Sequence, residues 1–279
     1  MTRRTFVPAL TGLGAAALAA PAMAAPRKGR LKQCVTRGCF GRGKTMEEMA
    51  KAAADVGAVG FDLINPPDFP ILKKYGLLPT MIPGGSTIPD GVNDKALHDG
   101  IEKRMKEAID AAVAAGAPNV IALAGNRKGR SDEEGLANSV IFFNRIKAYA
   151  EDKNVTINLE LLNSKVNHPD YQCDHTSWGV EVCRQVNSPK VKLLFDIYHM
   201  QIMEGDIIRT IQKNIQWIGH FHTAGNPGRH EMDDTQEMNY KGIAKAIADL
   251  GYKGYIAHEY SPARDALTSL EETFKMFEV

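Results

Sequence analysis

Four short apolar runs in the second half of the chain decide its fold: Thr156-Ile157-Asn158-Leu159-Glu160, Leu193-Leu194-Phe195-Asp196, Ile218-Gly219-His220-Phe221-His222 and Tyr255-Ile256-Ala257-His258-Glu259. Each ends in a side chain able to bind a metal ion. Glu160, Asp196, His222 and Glu259 follow one another at intervals of 36, 26 and 37 residues, about one strand plus one helix each time. Parallel strands joined by helices carry continuous apolar runs, because both faces of their sheet are covered. Such strands end at a common rim, so the four side chains are expected to meet there. Three carboxylates and one imidazole make a hard, oxygen-rich site for a divalent cation.

The same alternation runs back toward the N-terminus. Strand candidates occupy residues 31–36, 58–64, 77–82, 119–124, 155–162, 191–197, 217–223 and 255–260, each short, apolar and bounded by Gly, Pro, Asn or Asp. The clearest helical patterns between them cover residues 45–56, 94–115, 131–151, 175–186 and 240–250. Thr45, with Glu48 three residues on, reads as a capping box. Gly57, Gly116 and Gly251 read as helix stops. Eight strand–helix units in about 245 residues predict an α/β protein, a single eight-stranded parallel (β/α)₈ TIM barrel over residues 25–279. No Gly-x-Gly-x-x-Gly follows the first strand candidate, so a dinucleotide fold has no support.

Residues 1–24 read as a twin-arginine-type signal peptide. Arg3-Arg4-Thr5-Phe6 precedes an uncharged stretch rich in Ala, Leu and Gly, and Ala22-Met23-Ala24 supplies a small-x-small cleavage site. The expected location is therefore the periplasm, reached by a route that carries folded proteins. Removal of the segment takes two arginines and no acid, moving the formal net charge from +1 to −1. That balance speaks against nucleic acid and anionic membranes as partners. No second long apolar segment follows, so the processed chain is expected to be soluble, and barrels of this kind often self-associate. Cys34, Cys39, Cys173 and Cys183 allow three disulfide pairings, among which sequence does not choose; Cys34 is expected within the first strand, pointing into the core.

A barrel carries its active site at the C-terminal ends of its strands. Glu160 and Glu259, after the fifth and eighth strands, would face each other across the mouth and are the candidate catalytic pair as well as metal ligands. Proton transfer between adjacent carbons of a hydroxy-carbonyl compound needs a base, an acid and an electrophile for the developing enediolate. Asp196 and His222 are the remaining metal ligands. His199 is placed to touch substrate or metal, or to orient Asp196. His220 alternates with His222 on one strand face and is expected one layer deeper, supporting the site. His258 is expected to face the helices. Arg229 and His230, in the polar loop after the seventh strand, are candidate substrate-binding residues, with Glu231 locking one of them. That loop and the long stretch from Asn163 to Asp174 are the candidate lid.

Three segments carry a family resemblance: Asp196-Ile197-Tyr198-His199-Met200-Gln201; Asn226-Pro227-Gly228-Arg229-His230-Glu231 with Asn239-Tyr240; and Leu250-Gly251-Tyr252 leading to Glu259-Tyr260. Together with Glu160 in Leu159-Glu160-Leu161-Leu162-Asn163, they resemble the hydroxypyruvate isomerase family of xylose-isomerase-like barrels, most strongly over residues 155–262. The resemblance implies a barrel binding Mg²⁺ or Mn²⁺, with Glu160 and Glu259 as paired proton donor and acceptor and a sugar or keto-acid as substrate. The family's isomerases commonly carry Gln where this chain has His222. Alternatives on the same site are a keto-sugar epimerase and a 3-keto-glycoside lyase. An alternative of another class is a non-catalytic periplasmic sugar-binding barrel.

Overall fold

The computed structural model describes residues 27–279; the signal segment read above lies outside them. Eight strands run parallel: β1 (Lys32–Val35), β2 (Gly60–Asp62), β3 (Leu78–Met81), β4 (Asn119–Ala122), β5 (Thr156–Glu160), β6 (Val191–Asp196), β7 (Ile218–Thr223) and β8 (Tyr255–His258). Their order is β3-β2-β1-β8-β7-β6-β5-β4, and a parallel bridge between Ile82 and Val120 closes the ring between β3 and β4. The chain is a (β/α)₈ TIM barrel. Every strand lies inside its predicted range.

The helices are α1 (Met46–Asp55), α2 (Phe69–Lys74), α3 (His98–Ala115), α4 (Asp132–Asp152), α5 (Thr176–Val186), α6 (Ile197–Met203), α7 (Ile207–Asn214), α8 (Tyr240–Asp249) and α9 (Ala266–Met276). The capping box at α1 forms as read: Glu48 N–H donates to Thr45 Oγ1 at 3.2 Å and Thr45 N–H to Glu48 Oε2 at 2.7 Å. Gly116 ends α3 at φ 70°, a left-handed position that costs glycine little.

Four helices have no counterpart among the clear sequence patterns. α2 follows the proline-rich stretch Pro66-Pro67 and has Pro70 in its first turn. α6 buries Ile197, Tyr198, His199, Met200 and Met203, apolar nearly all round, so it shows no amphipathic period. α7 is short, and only Ile207 and Ile211 are buried on it. α9 buries Ser269 and Thr273 along with Leu270 and Phe274, which blurs its apolar stripe.

The main apolar core fills the space between strands and helices. Inside the barrel, Met81, Ile121 and Leu194 form a separate small cluster. Beside it lies a polar ladder: Asn158 Nδ2 donates to Asn119 Oδ1 at 3.0 Å, and Asn119 Nδ2 to the Thr80 carbonyl at 2.9 Å. The four cysteines are free thiols and buried. Cys34 points inward beside Thr80 and Asp62, and burial pushes its thiol well above the usual range, so it is inert at neutral pH. No described helix is long and apolar enough to cross a membrane.

Candidate metal and active site

The rim brings the four strand-end side chains together. Ligand atoms of Glu160, Asp196, His222 and Glu259 all lie within 4.8 Å of one another. β5, β6 and β7 deliver the first three directly, and Glu259 follows the last residue of β8. Register explains the convergence: Glu160 pairs with Leu194, Asp196 with His222 and His222 with Ala257, so inward positions climb the barrel in step.

Glu160, Asp196 and His222 are buried, with 7%, 1% and 0% of their surface exposed; Glu259 is half-buried at the mouth. His222 sits at the centre. Its Nδ1 is 2.8 Å from Glu259 Oε2 and 3.5 Å from Glu160 Oε1, yet this atom has no aligned hydrogen-bond partner. An imidazole nitrogen buried among carboxylates with no hydrogen bond of its own is what a metal ligand requires. The donor set therefore fits a divalent cation.

Charge crowding sets the protonation of the cluster. Burial pushes Glu160 above the usual carboxylate range, with Glu259 and Asp196 adding to the rise against the pull of His222. Burial raises Asp196 as well, opposed chiefly by Arg229. Burial also disfavours the ionised form of Glu259, but His222 and Arg229 outweigh it and hold the group down at about 2. For His222 burial disfavours the imidazolium, and Glu259, Asp62 and Glu160 overcome it, holding the ring well above the usual histidine range.

Metal ligands must be deprotonated. A cation entering this cluster competes with protons for His222, and for Glu160 and Asp196, whose proton affinity burial raises. Metal uptake near neutral pH is therefore expected to release protons and to strengthen as pH rises. Calorimetry in two buffers of different ionisation enthalpy measures the release directly; buffer-independent heats would contradict the assignment.

The remaining predicted residues divide. Arg229 enters the site. Its Nη2 lies 2.8 Å from Glu259 Oε2 and 3.6 Å from Asp196 Oδ2, and its guanidinium lies 5.4 Å from the centre of the Tyr198 ring. His199 also reaches the site. Its Nδ1 accepts from Asn163 N–H at 3.2 Å, so the ring proton belongs on Nε2. That nitrogen is 3.6 Å from Asp196 Oδ2 and has no hydrogen-bond partner. Burial and Arg229 keep the ring neutral, well below the usual range. His199 thus offers an N–H to whatever binds beside Asp196. Asp196 itself caps α6, accepting from His199 N–H at 3.1 Å.

His220 lies one layer deeper than His222, as read from the alternation, and is fully buried. His258 faces outward, between Thr223 (2.8 Å) and Gln33 (3.0 Å). His230 is not brought into the cluster. It is exposed, and its Nδ1 meets the Ser261 carbonyl at 2.8 Å. Arg229 adopts φ 58°, and the chain reverses there, so Arg229 points in and His230 out. Glu231 also takes partners other than those expected. Instead of locking Arg229 or His230, it accepts from the backbone N–H groups of Ala263 and Arg264 at 3.0 and 3.2 Å and from Ser269 Oγ at 2.8 Å. It fastens the turn between β8 and α9.

Of the candidate lid, the end of the long loop is anchored. Tyr171 Oη donates to the Glu160 carbonyl at 3.0 Å and accepts from Ala124 N–H at 2.9 Å. His168, earlier in that loop, stands with its ring centre 5.2 Å from that of His199, above the site.

A cavity of about 390 Å³ opens onto the cluster, lined by Thr36, Arg37, Asp62, Leu63, Arg229 and Glu259 among others. Its size falls in the range of small-molecule sites. A larger hollow of about 670 Å³ between α2, β3 and the end of α3 is lined by Phe69, Leu77, Pro79 and Ala114; apart from Lys73 it holds no ionisable group, so the chemistry belongs to the smaller cavity. Asp62 is a site residue that the sequence reading passed over, although it interrupts an apolar run much as Glu160 does between Leu159 and Leu161.

A parallel barrel with a buried His/Asp/Glu cluster able to hold a metal ion at its C-terminal rim fits the sugar isomerase and epimerase class. Residues 40–278 match the family described as xylose isomerase-like TIM barrel, and the chain belongs to that family. It is 28% identical over 234 residues to the putative hydroxypyruvate isomerase of Homo sapiens, an alignment covering 81% of this chain and 79% of that one. It is 31% identical over 243 residues to the 2-oxo-tetronate isomerase of Haemophilus influenzae, covering 79% of this chain and 90% of that one. The solved D-psicose 3-epimerase of Clostridium cellulolyticum H10, in a structure with D-tagatose, shares the fold at a TM-score of 0.73 and 17% identity, over 89% of this chain and 100% of that chain.

Proposed function

We propose that the protein is a divalent-metal-dependent isomerase of the hydroxypyruvate isomerase type, which moves a proton between adjacent carbons of a small hydroxy-carbonyl compound. The observation that carries the reading is the convergence of Glu160, Asp196, His222 and Glu259 within 4.8 Å, two of them carboxylates whose protonation is pushed in opposite directions. Mg²⁺ or Mn²⁺ held by these four would polarise the substrate's carbonyl and hydroxyl oxygens and so favour loss of the neighbouring C–H proton.

The chain's own groups supply the rest. Two titratable groups driven apart in one site mark an acid and a base. Glu259, held ionised, removes the C–H proton; Glu160, whose proton affinity burial raises, takes the substrate's hydroxyl proton and delivers it to the adjacent carbon, and the proton on Glu259 then goes to the new hydroxyl oxygen. The His199 Nε2–H donates to a substrate oxygen beside Asp196. Arg229 steadies Glu259 and presents its remaining N–H groups to the cavity, where they suit a hydroxyl or carboxylate. The substrate is a sugar or keto-acid small enough for the cavity. Arg3-Arg4 and Ala22-Met23-Ala24 support export to the periplasm, which N-terminal sequencing of the processed protein tests.

The direct experiment is an assay on hydroxypyruvate, 2-oxo-tetronate and a panel of keto-sugars, with protein stripped by chelator and then given Mn²⁺ or Mg²⁺. Turnover of at least one substrate, abolished by stripping and restored by the ion, is the expected result. A stereocentre inverted without moving the carbonyl would make the enzyme an epimerase on the same site. Turnover indifferent to chelation would overturn the reading.

A further inference from the structure

The carboxylate of Asp62 lies beneath the cluster, at the end of β2. Its Oδ2 accepts a hydrogen bond from His222 Nε2 at 2.9 Å and lies 2.5 Å from His220 Nε2; its Oδ1 accepts from Thr80 Oγ1 at 2.5 Å. Asp62, Thr80, His220 and His222 are all fully buried. The backbone is shaped to put the carboxylate there. The pairing of β2 with β3 shifts register between Phe61 and Asp62, and Leu63 follows at φ 57°, an uncommon conformation for a branched residue. Bulges and left-handed non-glycine residues cluster next to functional sites, where they re-aim a side chain.

A neutral imidazole carries one N–H, and the partner of one nitrogen decides the state of the other. An ionised carboxylate only accepts. Oδ1 of Asp62 takes the Thr80 hydroxyl and Oδ2 faces both histidine Nε2 atoms, so the carboxylate serves as the acceptor on each side. Its hydrogen bond with His222 Nε2 therefore requires the proton on Nε2. On the neutral ring that a cation would bind, this leaves the Nδ1 lone pair facing Glu160 and Glu259, at the atom that lacks a hydrogen-bond partner.

We propose that Asp62 is a positioning residue, which fixes His222 as the Nε2–H tautomer and aims Nδ1 at the point where Glu160, Asp196 and Glu259 converge, with Thr80 and His220 holding Asp62 in turn. The inference rests on the metal reading of the site. The same three side chains, Asp62, His220 and His222, are also close enough to hold an ion of their own. In that arrangement His222 Nε2 would be a ligand and not a donor.

The test is Mn²⁺ binding to full-length protein by electron paramagnetic resonance titration, with Zn²⁺-loaded samples for ¹⁵N resonances of His222. Wild type is expected to bind one ion per chain, with His222 Nδ1 unprotonated and Nε2 protonated. Asp62→Asn, whose amide can offer an N–H to Nε2, is expected to weaken Mn²⁺ binding by about 10–100-fold, the usual range for such outer partners, and to alter the His222 resonances while the circular dichroism spectrum stays the same. Thr80→Val removes only one of the bonds that hold Asp62 and should give a smaller loss in the same direction; it keeps the test open if Asp62→Asn does not fold. Mn²⁺ affinity within twofold of wild type in both variants would overturn the positioning role while leaving the metal site standing. Two ions per wild-type chain, one of them lost in His220→Ala, would overturn it in favour of a second ion site. No ion in wild type would overturn the metal reading and the positioning role together.

Discussion

Glu160→Gln, assayed at saturating Mn²⁺, is expected to lower the rate of product formation by about 10²–10⁴-fold, the usual contribution of a positioned acid or base, or about 3–5 kcal/mol of barrier. Glutamine keeps the shape and one oxygen able to ligate, so saturation with metal separates lost chemistry from lost binding. The site makes a sharper forecast. In the proposed mechanism Glu259, held ionised by His222 and Arg229, removes the substrate proton, and Glu160 delivers a proton to the neighbouring carbon. The Glu160→Gln variant should therefore still exchange the substrate's α-proton with solvent, more slowly, while making little product. Exchange and product formation falling by the same factor would give the base role to Glu160 instead. Product formation within threefold of wild type would remove Glu160 from the chemistry.

The second large effect concerns Asp196, which does two jobs. It is a candidate ligand, and its side chain caps α6 by accepting from His199 N–H at 3.1 Å. Asparagine keeps an oxygen for the cap and loses the charge; alanine loses both. Both variants are expected to lose tight metal binding and, with it, all measurable turnover. They should part in thermal melts done in chelator. Burial and the nearby Glu259 already disfavour the Asp196 carboxylate without a cation, so Asp196→Asn should melt at or above wild type. Asp196→Ala should fall below Asp196→Asn by about 1 kcal/mol, the typical worth of a helix cap, or about 2–4 °C for a protein of this size. Equal melting temperatures for the two variants would mean that the cap contributes nothing.

The strands and the convergence of the four strand-end side chains were legible because one physical rule governs both. A parallel strand buried on two faces is an unbroken apolar run, and the residue that ends it is the one delivered to the rim. Glu160, Asp196, His222 and Glu259 each interrupt such a run. Asp62 also interrupts an apolar run but was passed over. It sits in a strand of three residues, where the pairing shifts register and the left-handed Leu63 follows, and it faces His222. Neither leaves a mark on composition or spacing. Helix α6 escaped for a related reason: the strand-end Asp196 is its cap, and the helix is buried nearly all round, so it has no polar face to set a period.

Loop direction was illegible too. Arg229, His230 and Glu231 are consecutive, and the sequence gives no reason to separate them. In the structure Arg229 turns into the site, His230 turns out to the Ser261 carbonyl, and Glu231 ties down the turn before α9. Two consecutive positive-φ residues, Gly228 and Arg229, turn the chain there. Sequence placed all three in the right loop, and backbone torsion assigned each its partner.

The most direct measurement of the central claim is solvent exchange. The protein, loaded with Mn²⁺, is incubated in deuterium oxide with each candidate hydroxy-carbonyl compound, and recovered material is analysed by NMR. The account predicts deuterium at the carbon beside the carbonyl in at least one compound, accompanied by isomerised product and abolished by chelator. A fully loaded protein that binds such a compound yet leaves every α-proton in place would contradict it, and would leave a metal-holding sugar-binding barrel in place of an isomerase.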